Sequence, residues 1–81
     1  MMVRVRLFAL AAQVAGADVV EVSLDEHPTI ADLRKALSYN CPALAAMLPH
    51  FMFAVNSDYA ADQSPIPDGA EIACIPPVSG G

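Results

Sequence analysis

Pro28-Thr29-Ile30-Ala31-Asp32-Leu33-Arg34-Lys35-Ala36-Leu37-Ser38 is the stretch that decides the architecture, because both its helical character and its start are written in residue types. Thr29 is a natural N-cap. Asp32, three residues on, is placed to reach back to it as in a capping box, and its carboxylate suits the positive end of a helix. Ile30, Leu33 and Leu37 are spaced for one apolar face, with Arg34 and Lys35 pointing elsewhere. Pro42 sets the stop, so the helix is expected to end around Ser38 to Asn40. Such a helix needs an apolar surface to lie on, and the flanking segments supply it.

On the N-terminal side, residues 2–8 alternate, with Val3, Val5 and Leu7 on one face and Arg4, Arg6 and Phe8 on the other, the period of a half-buried strand. Residues 9–17 read as an alanine-rich connection closing on Gly16, and Val19 to Leu24 as a second strand with Val20, Val22 and Leu24 inward, a hairpin with a long loop. On the C-terminal side, Pro42 to Leu48 is expected to form another short helical turn. Phe51-Met52-Phe53-Ala54-Val55 reads as a strand buried on both sides, and Asn56-Ser57-Asp58 as a turn. Tyr59-Ala60-Ala61 makes a very short fourth strand, followed by a rigid loop with Pro65, Pro67 and an Asp68-Gly69 turn. Ala70 to Ile75 is the last strand, with Ile72 and Cys74 inward and Glu71, Ala73 and Ile75 outward, and Pro76-Pro77 ends it because proline cannot donate to a sheet ladder. The order implies an α+β domain over residues 1–75, a mixed sheet of four to five strands with one main helix packed across it, and a flexible tail over residues 76–81. That order matches the β-grasp, or ubiquitin-like, arrangement.

Composition narrows the function. Of 81 residues, 56% are hydrophobic and 16% charged, enough for a core without metal or disulfides, with apolar surface left over for a docking face. The net charge of −5 argues against nucleic acid as a partner and for a basic protein face. Cys41 and Cys74 lack the spacing of a zinc site or a disulfide framework, which fits a reducing, cytoplasmic setting. Arg4, Arg6 and the apolar run after them imitate a secretory signal, but Gln13 interrupts the run and cleavage after Ala17 would discard the first strand. No stretch approaches the roughly 20 apolar residues of a membrane span, so no membrane partner is expected.

Pro76-Pro77-Val78-Ser79-Gly80-Gly81 buries nothing. Two prolines stiffen the exit from the sheet, and six extended residues reach about 20 Å. Glycines pass a narrow channel that side chains would block. The carboxylate of Gly81 is inert until activated; adenylation makes it an acyl donor for a sulfur or nitrogen nucleophile. A terminal glycine pair arises by chance in roughly one chain in two hundred, so the weight rests on its combination with the element order.

The segment from Asp68-Gly69-Ala70-Glu71-Ile72-Ala73 through Pro76-Pro77-Val78-Ser79-Gly80-Gly81 resembles the C-terminus of the small subunit of molybdopterin synthase. Val5-Arg6-Leu7-Phe8-Ala9, the later Gly16 and Ala54-Val55-Asn56 are similar to the same family, so the likeness spans the whole chain. The resemblance implies a β-grasp sulfur carrier of molybdenum cofactor biosynthesis. A ubiquitin-activating-type adenylyltransferase would use ATP to adenylate Gly81, and a sulfur donor would convert it to a thiocarboxylate. The tail would then enter the large synthase subunit and give its sulfur to cyclic pyranopterin monophosphate, forming molybdopterin. Gly81 is the reacting residue in this scheme and Gly80, Ser79, Val78, Pro77 and Pro76 give it access. The large subunit supplies the catalytic side chains, so the chain is not catalytic alone and holds no metal or cofactor. Many members carry bulky aromatics where this sequence has Cys74 and Ile75, a departure that bears on the partner surface. Sulfur carriers for thiamine or tRNA thiolation also end in Gly-Gly, as do protein modifiers joined to a lysine, and both remain alternatives.

Phe8 and Ile75 fall outward by parity on strands that lie side by side in a β-grasp, and with Tyr59 they form a candidate apolar docking patch, rimmed by Arg4 and Arg6 or standing as ordinary surface. Cys74 reads as a small core residue whose closeness to the tail also permits a sulfur relay. Cys41, His27 and His50 have no evident partners, and Asp25, Glu26, Asp58, Asp62 and Asp68 are scattered in loops without a catalytic spacing.

Overall fold

The computed structural model describes residues 1–77. Strand β1 (Met2–Leu7) is followed by helix α1 (Ala9–Ala15), β2 (Val19–Ser23) and helix α2 (Ile30–Asn40). Two 3-10 turns (Pro42–Leu44 and Leu48–His50) lead into β3 (Met52–Val55), β4 (Asp58–Ala60) and β5 (Ile72–Ile75). The strands form one sheet in the order β2-β1-β5-β3-β4. β1 and β5 pair in parallel at its centre, and the other three pairs are antiparallel.

Helix α2 begins as its sequence dictates. The Asp32 amide donates to Thr29 Oγ1 (3.3 Å) while the Thr29 amide donates to Asp32 Oδ2 (2.9 Å), a complete capping box. These hydrogen bonds hold the Asp32 carboxyl below its ordinary range. The amides of Ile30 and Ala31, which have no partner within the helix, donate to the carbonyls of Ser64 and Asp62. Ile30, Leu33 and Leu37 are buried against the inner face of the sheet, where Val3, Val5, Leu7, Val22, Phe53, Ile72 and Cys74 form the core with Leu44, Leu48 and Ile66. Tight turns hold the last strands. Asn56 and Ser57 take positive φ (50° and 74°) in the β3–β4 hairpin, as a two-residue loop of primed type requires. The Asn56 amide and side chain also bond the backbone of Glu71 at 2.8 and 3.0 Å, seating the start of β5. Gly69 (φ 75°) closes the turn from Pro67 to Ala70.

Three expectations need correction. Residues 9–15 are a helix, not a loop: the run Ala9-Leu10-Ala11-Ala12-Gln13-Val14-Ala15 contains strong helix formers, and Gly16 ends it in the left-handed conformation (φ 71°). β3 is buried on both sides only in part: Phe53 faces the core and Ala54 is buried on the opposite face, where Met52 is 50% exposed. Arg34 does not simply point away from the core. Its guanidinium donates to the carbonyls of Leu48 and Phe51, pairs with Asp62 at 2.8 Å and lies 4.9 Å from the centre of the Phe53 ring. It thereby fastens α2 to the segment that enters β3.

Candidate functional site

The tail leaves the sheet from its middle strand. β5 has β1 on one side and β3 on the other, so the backbone that delivers Pro76 and Pro77 is held from both edges. Pro76 is half-buried and Pro77 exposed, and both line an apolar groove of about 680 Å³. One wall is the corner between β1 and α1, with Phe8, Ala9 and Leu10. The other is the segment entering β3, with Ala46, Met47, His50 and Phe51, and Ile75 lies between them.

The corner breaks local rules in a way that serves the groove. Phe8 occupies the N-cap of α1, where Ser, Thr, Asp or Asn would bond the free amides, and its side chain makes no cap hydrogen bond. Ala9 has φ 48°, a conformation that strains any residue with a β-carbon. The corner therefore leaves Phe8 43% and Leu10 49% exposed beside the root of the tail. Departures of this kind from local preference concentrate at functional sites.

Strand register extends the patch across the outer face. Met52 stands opposite Ile75, while Ala54 stands between Tyr59 and Ala73. Phe8 and Ile75 are thus brought together in one groove. Tyr59 (68% exposed) faces the same side from the edge strand β4 and does not line the groove. Arg4 and Arg6, read either as a rim of the patch or as simply solvated, line a separate cleft with Glu71. Met52 and Leu10, like Met2 and Tyr39, are exposed apolar residues that sequence reading missed; the alternation of Met52 with Phe53 and the alanine-rich helical composition around Leu10 were the signals for the first two. His50, which has no evident partner in the sequence, lies in a 3-10 turn and borders the groove.

Cys74 is fully buried on the inner face, paired with Leu7 and Phe53 by register, and burial pushes its thiol from 9.0 up to about 11, with Arg34 opposing the shift. The thiolate is the reactive form, so this placement suits a core residue and not a sulfur relay. Cys41 is a half-buried free thiol at the end of α2. Among the described residues no group of three His, Cys, Asp or Glu side chains is placed to hold a metal, and no helix is long and apolar enough to cross a membrane. Val78, Ser79, Gly80 and Gly81, expected to carry and present the reacting carboxylate, lie outside the described residues.

A five-stranded mixed sheet with α2 across one face and a tail leaving its central strand defines the ubiquitin-like β-grasp class. Within that class the chain belongs to the ThiS family, which matches residues 5–81. The molybdopterin synthase sulfur carrier subunit of Chlamydomonas reinhardtii is 34% identical over 83 residues, covering 100% of both chains. That of Escherichia coli is 35% identical over 82 residues, covering 99% of this chain and 100% of its own. Among solved structures, SAMP1 of Haloferax volcanii superimposes with a TM-score of 0.87 at 34% identity, covering 100% of both chains. A complex of subunits 1 and 2 of the molybdopterin-converting factor of Helicobacter pylori contains a chain that matches with a TM-score of 0.70 at 27% identity, again covering 100% of both.

Proposed function

We propose that this chain is the sulfur carrier of a molybdopterin synthase, with Gly81 as the group that is charged and discharged. The observation that carries the reading is the apolar groove at the foot of Pro76 and Pro77, with Phe8 and Ile75 side by side in it. A body that docks through that groove places a tail of about 20 Å inside its partner. The full-length likeness to sulfur carrier subunits supports the pathway, and the subunit complex of the Helicobacter pylori relative supports a large-subunit partner.

In the proposed cycle the Gly81 carboxylate attacks the α-phosphate of ATP on an adenylyltransferase, releasing pyrophosphate. A sulfur donor displaces AMP from the acyl carbon and leaves a thiocarboxylate. The tail then enters the large subunit, where sulfur passes to cyclic pyranopterin monophosphate. This chain contributes no general acid or base to these steps; it contributes reach, a docking face and a carboxylate without steric cover. ATP is bound by the activating partner, and the chain works in the cytoplasm.

A second reading, a modifier joined through Gly81 to target lysines, is favoured by the likeness to SAMP1. Incubation with ATP, the adenylyltransferase and a sulfur donor separates the two. A sulfur carrier gains the mass of one oxygen replaced by sulfur, and removing Gly81 abolishes that gain and molybdopterin synthesis while binding to the large subunit persists. Attachment to lysines of other proteins with no thiocarboxylate ever formed would establish the modifier instead.

A further inference from the structure

One wall of the groove at the root of the tail has no ladder to hold it. Residues 46–51 belong to neither α-helix nor strand and contain the second 3-10 turn. The amides of Met47, His50 and Phe51 donate to the carbonyls of Leu44, Met47 and Leu48 at 2.9, 2.9 and 3.1 Å, short-range bonds of poorer geometry than those of an α-helix. Among the described residues, the only hydrogen bonds that reach this stretch from another element come from Arg34 on α2. Its Nη1 donates to the carbonyls of both Leu48 and Phe51, the second at 2.8 Å. Its Nη2 pairs with Asp62 at 2.8 Å, and the guanidinium carbon lies 4.9 Å from the centre of the Phe53 ring.

The stretch acts as a partition. Leu48 and Pro49 line a trough on the α2 side together with Arg34 and Asp62, whereas Ala46, Met47, His50 and Phe51 line the tail groove. Fixing two carbonyls from the trough side therefore fixes how Met47, His50 and Phe51 present themselves on the other. Stability alone accounts poorly for an arginine here. Its side chain is 20% exposed, and its Nε is buried without an acceptor among the described residues. A mostly buried charge with an unmet donor recovers little of its desolvation cost, and an apolar side chain of similar length is often as stable. What a guanidinium adds is one rigid plane that holds two carbonyls, a carboxylate and an aromatic face together.

We propose that Arg34 is a positioning residue for sulfur delivery: it lines no part of the tail groove, yet it holds the 46–51 wall in the shape that the large subunit recognises. The inference rests on the reading of this chain as a sulfur carrier that docks through that groove. Without the clamp, the partner has to order the wall as it binds, which weakens docking and leaves the sulfur chemistry at Gly81 untouched.

The test follows molybdopterin synthesis with the thiocarboxylated full chain varied against a fixed amount of large subunit. Arg34→Met should raise the carrier concentration at half-saturation about tenfold and leave the saturated rate within about twofold of native. Thr29→Ala, which weakens the start of the same helix without touching the clamp, should change neither, and unfolding curves establish that each variant is folded in the assay. Unchanged half-saturation in folded Arg34→Met overturns the proposal and leaves the carrier reading standing. An equal rise in Thr29→Ala also overturns it, because the effect is then one of stability, and so does a fall in the saturated rate alone. Where Arg34→Met does not fold, Arg34→Lys decides, since it keeps the charge and the stem over Phe53 but loses the planar fork. A severalfold rise in half-saturation is expected for it, and a native value overturns the proposal. A native chain that yields no molybdopterin with the large subunit overturns both readings.

Discussion

Both faces of the sheet carry large apolar side chains, the outer one beside Arg4, Arg6 and Glu21, and these apolar groups meet different fates. On the inner face Val5, Leu7, Phe53, Ile72 and Cys74 are sealed under α2 and its neighbours. On the outer face Met2, Met52, Tyr59 and the corner residue Phe8 carry as much hydrocarbon, and nothing among the described residues closes over them. A second apolar face left open on so small a domain adds nothing to folding. It is explained by a partner that covers it. The comparison therefore divides the molecule into residues that hold the shape and residues that present it.

Substitutions on the two faces should break that division most visibly. Phe53→Ala, in the centre of the closed face, is expected to cost about 3–5 kcal/mol in denaturant unfolding, because it opens a cavity and removes the ring beneath Arg34. Phe8→Ala combined with Ile75→Ala on the open face should cost less than about 1 kcal/mol of stability, yet weaken large-subunit binding at least about tenfold in titration calorimetry. If both pairs of effects are equal, the division is wrong. Thr29→Ala, which removes the capping box and touches neither face, should lower stability by about 1 kcal/mol with binding unchanged.

The smallest effect concerns pH. The Cys74 thiol is raised in the folded state, so its contribution is complete below the unfolded value of 9.0 and is lost as pH rises from there toward about 11, where the unfolded chain ionises first. Denaturation midpoints of the native chain should fall across that window, and less so for Cys74→Ala measured against its own baseline. At neutral pH a maleimide should label Cys41 well before Cys74. Rapid labelling of Cys74 would return it to consideration as a relay.

The closed face was almost fully legible. Thr29 and Asp32 announced the helix, and strict alternation in β1 and in Ile72 to Ile75 set which side chains face inward. Periodicity fails where a segment is short or its partner is distant in sequence. Met52 looked buried because four apolar neighbours surround it along the chain and mask its alternation with Phe53; its register opposite Ile75 shows that it faces out. α1 was hidden because alanine carries little amphipathic contrast, although its helix propensity and the closing Gly16 were present. Phe8 and Ile75 were identified from strand parity and a known topology. Their convergence with Met47 and Phe51 needed the path of the 42–51 segment, which no local pattern encodes.

The proposed sulfur delivery also has a mechanical side. When a partner grips the tail and draws it into a channel, the load passes through Pro76 into β5, the strand flanked by β1 and β3. Tension along a strand held on both edges strains its ladder bonds together in shear, not one after another as at a peeling edge. If the tail is threaded into a partner as proposed, the central position of β5 lets it be pulled and released without fraying the domain that carries it.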